Sequence, residues 1–206
     1  MIRRAALFVM GLLPAVAAAQ APGGATGGGG RITSGGVVRA QAVVDSVFLD
    51  RKALEGAIEG GDWASYLMAR LGVHPLPDSS GIMVSVDTTG IVISGRIQDL
   101  PLEAQEMLGP LRALVDPSTV LSAYVDKVPA GQGLAHFRLR SVSVGMFPVP
   151  EVVLHSMLLK IGERYPALTR SGRDLLVQIP TDGDVRLADS AVRLLVTPAD
   201  ARTPPR

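Results

Sequence analysis

Cysteine is absent from the 206 residues. This excludes a disulfide framework, a thiolate nucleophile and cysteine metal ligands. Aromatic residues make up only 4%, so a core must be built from Val, Leu, Ile and Ala, and a stacking platform for single-stranded nucleic acid is not expected. There is no basic block. The formal charge is +1, and removal of Arg3 and Arg4 with an N-terminal leader would leave −1, which gives nucleic acid no electrostatic footprint. No G-x-S-x-G elbow occurs, and Ser79-Ser80 reads as a turn. His74, His136 and His155 show no ligand spacing, so neither a metal nor another cofactor is expected. Asp182 and Asp184 flank Gly183 as turn chemistry, and Asp87 and Asp99 close strands. Catalytic residues are therefore expected to be none, and a hydrolase ranks last among the readings.

Apolar residues reach 47%, enough for a packed core. Residues 1–19 read as a signal peptide: Arg3 and Arg4 form the positive region, Ala5–Val16 the apolar stretch, and Ala17-Ala18-Ala19 the cleavage site. The mature chain is then exported, to the periplasm or outside the cell, with no transmembrane span. Residues 20–36 contain PGGATGGGGRITSGG, too costly in backbone entropy to order, and are expected to be a flexible tether. They lack the strand and the Lys of a phosphate loop. A single domain over 37–197 and a disordered tail over 198–206 complete the organisation.

Within the domain, Val37–Leu49 is a first strand or the start of a helix. Asp50 caps an expected helix over Arg51–Glu59, with Ala53, Leu54, Ala57 and Ile58 as its apolar positions. Gly60-Gly61 breaks it, and Asp62 caps a second helix through Leu71, where Trp63, Leu67 and Leu71 make one stripe. Gly72 is its C-terminal cap. Ile82–Ile97 alternates as a hairpin around Asp87-Thr88-Thr89-Gly90. Leu102–Val115 is helical with a break at Gly109-Pro110. Thr119–Val128 and Leu134–Val144 form a second hairpin. Asp174–Ile179 is a strand, Thr181-Asp182-Gly183 turns into Val185–Leu187, and Ala191–Val196 is a last strand.

Between these lies FRLRSVSVGMFPVPEVVLHSMLL, Phe137–Leu159: a strand, a corner at Gly145, Pro148 and Pro150, then a helix from Glu151. Val153, Leu154, Met157, Leu158 and Ile161 form one broad apolar face. Val152 and Leu159 fall on the polar side, among Glu151, His155, Ser156, Lys160 and Glu163. Glu151 and His155 are spaced for a surface pair. The predicted fold class is α+β: a curved antiparallel sheet of about six strands, built from hairpins, wrapped on this central apolar helix with additional helices.

The run SVSVGMFPVPEVVLHSML, Ser141–Leu158, resembles the strand–Gly–[Leu/Phe]-Pro-x-Pro–helix segment of YpmS-like exported bacterial proteins, of the tubular lipid-binding (TULIP-like) type. The upstream order of helix and hairpin is similar. The resemblance implies a sheet wrapped on a helix and a hydrophobic-ligand class, with no catalytic residues. The expected function is a non-enzymatic module binding lipid or another hydrophobic ligand near the envelope. The alternative is an envelope interaction domain that docks a protein and takes no small ligand. Candidate groove residues are Val153, Leu154, Met157, Leu158 and Ile161, with Ile91, Ile93 and Leu139 facing them. Arg138 and Arg140, on one strand face by period-two alternation, are candidates for anionic headgroups. Arg164, Arg170 and Arg173 lie near them in sequence.

Overall fold

The period-two segments become antiparallel sheet. The computed structural model describes residues 29–73, 81–100, 105, 115–165, 168–169 and 171–197. The leader, the tail, the His74–Pro77 connector, Ser79-Ser80, Arg170 and nearly all of Leu102–Val115 lie outside them.

Among the described residues there are ten strands and three α-helices, an α+β arrangement in which every strand pair is antiparallel. In chain order these are β1 (Gly30–Arg31), α1 (Ser34–Val44), β2 (Glu55–Glu59), α2 (Gly60–Arg70), β3 (Met83–Val86), β4 (Gly90–Arg96), β5 (Val120–Val128), β6 (Leu134–Val144), β7 (Phe147–Pro148), α3 (Glu151–Arg164), β8 (Asp174–Gln178), β9 (Gly183–Ala188) and β10 (Ala191–Val196). One open sheet has seven strands in the order β1-β3-β4-β5-β6-β7, with β8 also on β6; a second has three, β2-β10-β9. The single sheet of about six strands is thus two sheets. The turn Thr181-Asp182-Gly183 does not close a hairpin. It carries the chain from β8 in the large sheet to β9 in the small one, and the last hairpin is β9–β10, turned through Ser190 at φ +69°.

The two central hairpins fall where alternation puts them. Val84 and Val86 are buried, while Met83 is exposed and Ser85 between the valines is half-buried. At the β3–β4 turn Asp87 Oδ1 accepts from Thr89 N and Thr89 Oγ1, both at 2.6 Å, and from Gly90 N at 2.9 Å. The Thr89 hydroxyl, then its amide, hold the Asp87 carboxyl below its ordinary pKa. Between β5 and β6 the register shifts at Tyr124/Val125, so that Tyr124 pairs with Ser141 and Val125 with Leu139. Arg140 is the extra residue of this β-bulge, which bends the strand and increases its twist.

Three expectations along the first third are corrected. The tether does not extend to residue 36: Gly30–Arg31 is β1 and Ser34 begins α1, with Thr33 Oγ1 accepting from Gly36 N at 2.9 Å. The helix over Arg51–Glu59 is instead β2, entered from a π-helical turn at Asp45–Leu49. Gly60 and Gly61 open α2 instead of breaking a helix, and Asp62 lies inside its first turn. The common cause is tertiary packing. A Cβ on Gly61 would stand 2.4 Å from Gly30 C and 2.5 Å from Arg31 O, so only glycine lets β1 cross the start of α2. Gly56, likewise, leaves room for Val43 and Val47 over β2.

The main core lies here. Ala40, Val44, Val47, Ile58, Trp63, Tyr66, Val84, Val86, Ile91, Phe137, Val185, Val192 and Leu194 belong to one buried cluster. Trp63 stacks on Tyr66 with ring centroids 5.7 Å apart and tilts against Phe137 at 6.1 Å. α1 is fastened to α2 by Arg39, whose guanidinium donates to both Asp62 oxygens at 2.8 and 2.6 Å. The α3 helix starts at Glu151 as expected, but its buried Leu154 and Leu158 lie outside this cluster. The organising pair is α1 and α2.

Candidate functional site

The corner between β6 and α3 is built from its glycine and prolines. After Val144 the chain reverses over Gly145-Met146, and Gly145 takes φ +58°, the left-handed value that two-residue hairpin turns demand. β7 then pairs back, Val144 with Phe147 and Ser143 with Pro148. Val149 N–H donates to Val142 O at 2.8 Å and Gly145 N–H to Val120 O at 2.7 Å. Val149 points its amide inward, so Pro148 occupies an outward position where no amide is needed. Pro150, at φ −58° and ψ 139°, leads into α3. Glu151 sits in the first turn, where the helix dipole favours a carboxylate. It takes the Arg173 guanidinium, so the expected pair with His155 gives way to this one.

This stiff corner projects apolar side chains into solvent. Met146 is 88% exposed, Phe147 76% and Val152 82%. No charged residue occurs from Ser141 to Pro150. Along α3, Leu154 and Leu158 are buried, Val153, Met157 and Ile161 half-buried, and Leu159 partly exposed on the outer side two turns after Val152. The broad apolar face and the two outliers therefore stand as the helical periodicity places them.

The hairpin half of the expected groove is placed differently. Ile91 is in the main core cluster and Ile93 packs against it, whereas Leu154 and Leu158 are not in that cluster. Ile91 and Ile93 face Val86, Val84 and Val125 across their strand pairs, committed to core packing. Leu139 is half-buried, pairs with Val125, and donates its N–H to Arg173 O at 2.9 Å. The eight groove candidates do not form one lining.

The two headgroup candidates are both engaged. Arg138 Nε donates to Asp174 Oδ1 at 2.6 Å, and His136 Nε2 meets the same oxygen at 2.6 Å. Burial pushes the Asp174 carboxyl upward, but the hydrogen bonds from Arg138 and His136 and their charge outweigh it, leaving its pKa below the ordinary value. Arg140, the bulge residue, lies 3.6 Å from Asp126 Oδ1 with its guanidinium 6.0 Å from the Tyr124 ring centre. Each arginine thus meets a carboxylate of its own chain, Arg138 closely and Arg140 loosely.

A depression of about 380 Å³, lined by Arg39, Val43, Ala57, Ile58, Glu59 and Asp62, opens between α1 and β2. Sequence reasoning named Ala57, Ile58 and Asp62 only as helix positions and did not anticipate this depression, nor the exposure of Met146 and Phe147. Val152 was visible as an apolar residue on a polar helix side. Among the described residues no helix is long and apolar enough to cross a membrane, and no three His, Asp or Glu side chains form a group able to hold a metal ion. Scans of protein-family models, curated proteins and solved structures found no match to this chain.

Proposed function

We propose that the protein is an exported, non-enzymatic module that binds lipid or another hydrophobic ligand near the bacterial envelope. The observation that carries this is the apolar apex, Met146, Phe147 and Val152, held in solvent on a proline-stiffened corner. Soluble chains do not usually spend large apolar side chains this way without a partner. A projecting tip suits a deformable apolar phase, so the apex enters lipid first and α3 follows with Leu159 on the same outer side. The likeness of Ser141–Leu158 to YpmS-like proteins supports the same ligand class.

The magnitude fits reversible contact. Burying three such side chains contributes on the order of 5–8 kcal/mol, of which a good part offsets the lost freedom of association. The result is peripheral, exchanging attachment, comparable to a single weak lipid anchor.

The test is flotation of the mature chain with vesicles of phosphatidylethanolamine and phosphatidylglycerol. Wild type co-floats, and Phe147→Asp combined with Val152→Asp remains in the dense fraction with an unchanged far-ultraviolet spectrum. Absence of wild-type flotation, or equal flotation of the double variant, sinks the reading. If one envelope protein were captured by wild type and lost by the double variant without any flotation, the docking alternative would replace it.

A further inference from the structure

The three-stranded sheet ends on β2, whose outer edge pairs with no other strand among the described residues. The ladder fixes which backbone groups point outward. Gly60 N–H donates to Ser190 O at 3.4 Å and Val196 N–H to Leu54 O at 2.8 Å. With the register Ile58 to Val192 and Gly56 to Leu194, the even-numbered residues of β2 bond to β10. The amides of Glu55, Ala57 and Glu59 and the carbonyls of Glu55 and Ala57 therefore face away from it, while the Glu59 carbonyl, at the N-cap, is taken into the first turn of α2. No described residue pairs with them on that side.

Two other edges are partly blocked. On β9 the amide of Val185 is taken by Asp184 Oδ1 at 2.8 Å. On β7 the outward position is Pro148, which has no N–H. β2 combines outward donors with adjoining space, because the depression of about 380 Å³ runs beside Ala57, Ile58 and Glu59, with Arg39 and Val43 of α1 as its far wall.

We infer that β2 is a strand-addition site, where an extended peptide from another protein pairs with Glu55–Glu59 and extends the small sheet. The side-chain environment defines the peptide. Glu55, Ala57 and Glu59 are exposed on one face. Glu55 is held by Arg193 at 2.7 Å, while Glu59 has no ion-pair partner among the described residues, so it selects a basic residue opposite it. The alternate positions meet Val43 and Ile58 and take small apolar side chains. A second copy is disfavoured by the same charges: antiparallel pairing of two β2 strands about Ala57 sets each Glu55 against the other chain's Glu59.

The test uses the mature chain and a fluorescent five-residue peptide alternating lysine and valine. Saturable binding is expected, with new amide-exchange protection at Glu55, Ala57 and Glu59. Backbone N-methylation of the peptide on its pairing side weakens it at least tenfold, a change that leaves the protein untouched. Ala57→Pro, tolerated on an edge strand, does the same, and Glu59→Lys reverses the preference toward a glutamate–valine peptide. No saturable binding, indifference to N-methylation, or protection elsewhere overturns the proposal. Self-association lost in Ala57→Pro would overturn the choice of occupant. The apex is not involved, so vesicle flotation is expected to be unchanged in every β2 variant.

Discussion

Replacing Gly61 by alanine should loosen the joint between β1 and α2. The added Cβ would meet Gly30 C at 2.4 Å, Arg31 O at 2.5 Å and Arg31 N at 2.7 Å. All three are backbone atoms, so no rotamer change relieves the contact. Overpacking of this kind costs about 3 kcal/mol, at the upper end of the usual range. Alanine recovers at most ~1 kcal/mol of helix propensity. The net loss is about 2 kcal/mol, or a fall of roughly 4–8 °C in Tm for a chain of this size. Gly131→Ala is the control, because nothing lies within 4 Å of its Cβ position. It should gain a few tenths of a kcal/mol to about 1 kcal/mol through the unfolded state. Trp63 is the sole tryptophan, and it is buried two residues away. Its emission in a urea titration follows the transition directly. A Gly61→Ala midpoint at or above wild type, or a Gly131→Ala loss of equal size, would refute the close-approach reasoning.

Leu158→Ala should cost about 2–5 kcal/mol because it empties a buried site, while Leu159→Ala one residue on should change stability by less than about 0.5 kcal/mol; equal urea midpoints would place α3 differently. The folded-state pKa of Asp174 is depressed, so its stabilisation is present above the ordinary carboxylate value near ~3.9 and is lost as pH falls through the folded-state pKa. Asp174→Asn should therefore be less stable than wild type near neutrality, with the two stability curves converging in acid. Parallel curves from pH 7 downward would show that Arg138 and His136 do not bias its ionisation.

The hairpins were legible because a half-buried sheet writes itself as alternation: Val84 and Val86 against Met83 and Ser85. The corner was legible because Gly145 and the prolines restrict the backbone whatever surrounds them. β2 was not. Ala53, Leu54, Ala57 and Ile58 match a helical period, but pairing with β10 and the fit of Val43 and Val47 over Gly56 override local preference. The glycine run misled for a related reason. Its density signals an entropic cost, while the need of Gly30 for the Gly61 backbone depends on a partner far along the chain. Turn chemistry at Thr181-Asp182-Gly183 marks a reversal without saying which strand comes next. The site was half visible: composition marks Met146 and Phe147 as apolar, and apolar residues are assigned to the interior by default. Only the fold shows them outside.

The small sheet joins the beginning of the domain to its end, since β2 is completed by β10 and β9. Val185, Val192 and Leu194, fully enclosed in the same cluster as Val47, Ile58 and Trp63, follow those partners far along the chain. Until they emerge, the amino-terminal helices have no lid, and the nascent polypeptide cannot lock into its final form. Closure of this core is thus a long-range event, set by the arrival of β9 and β10 over α1, α2 and β2.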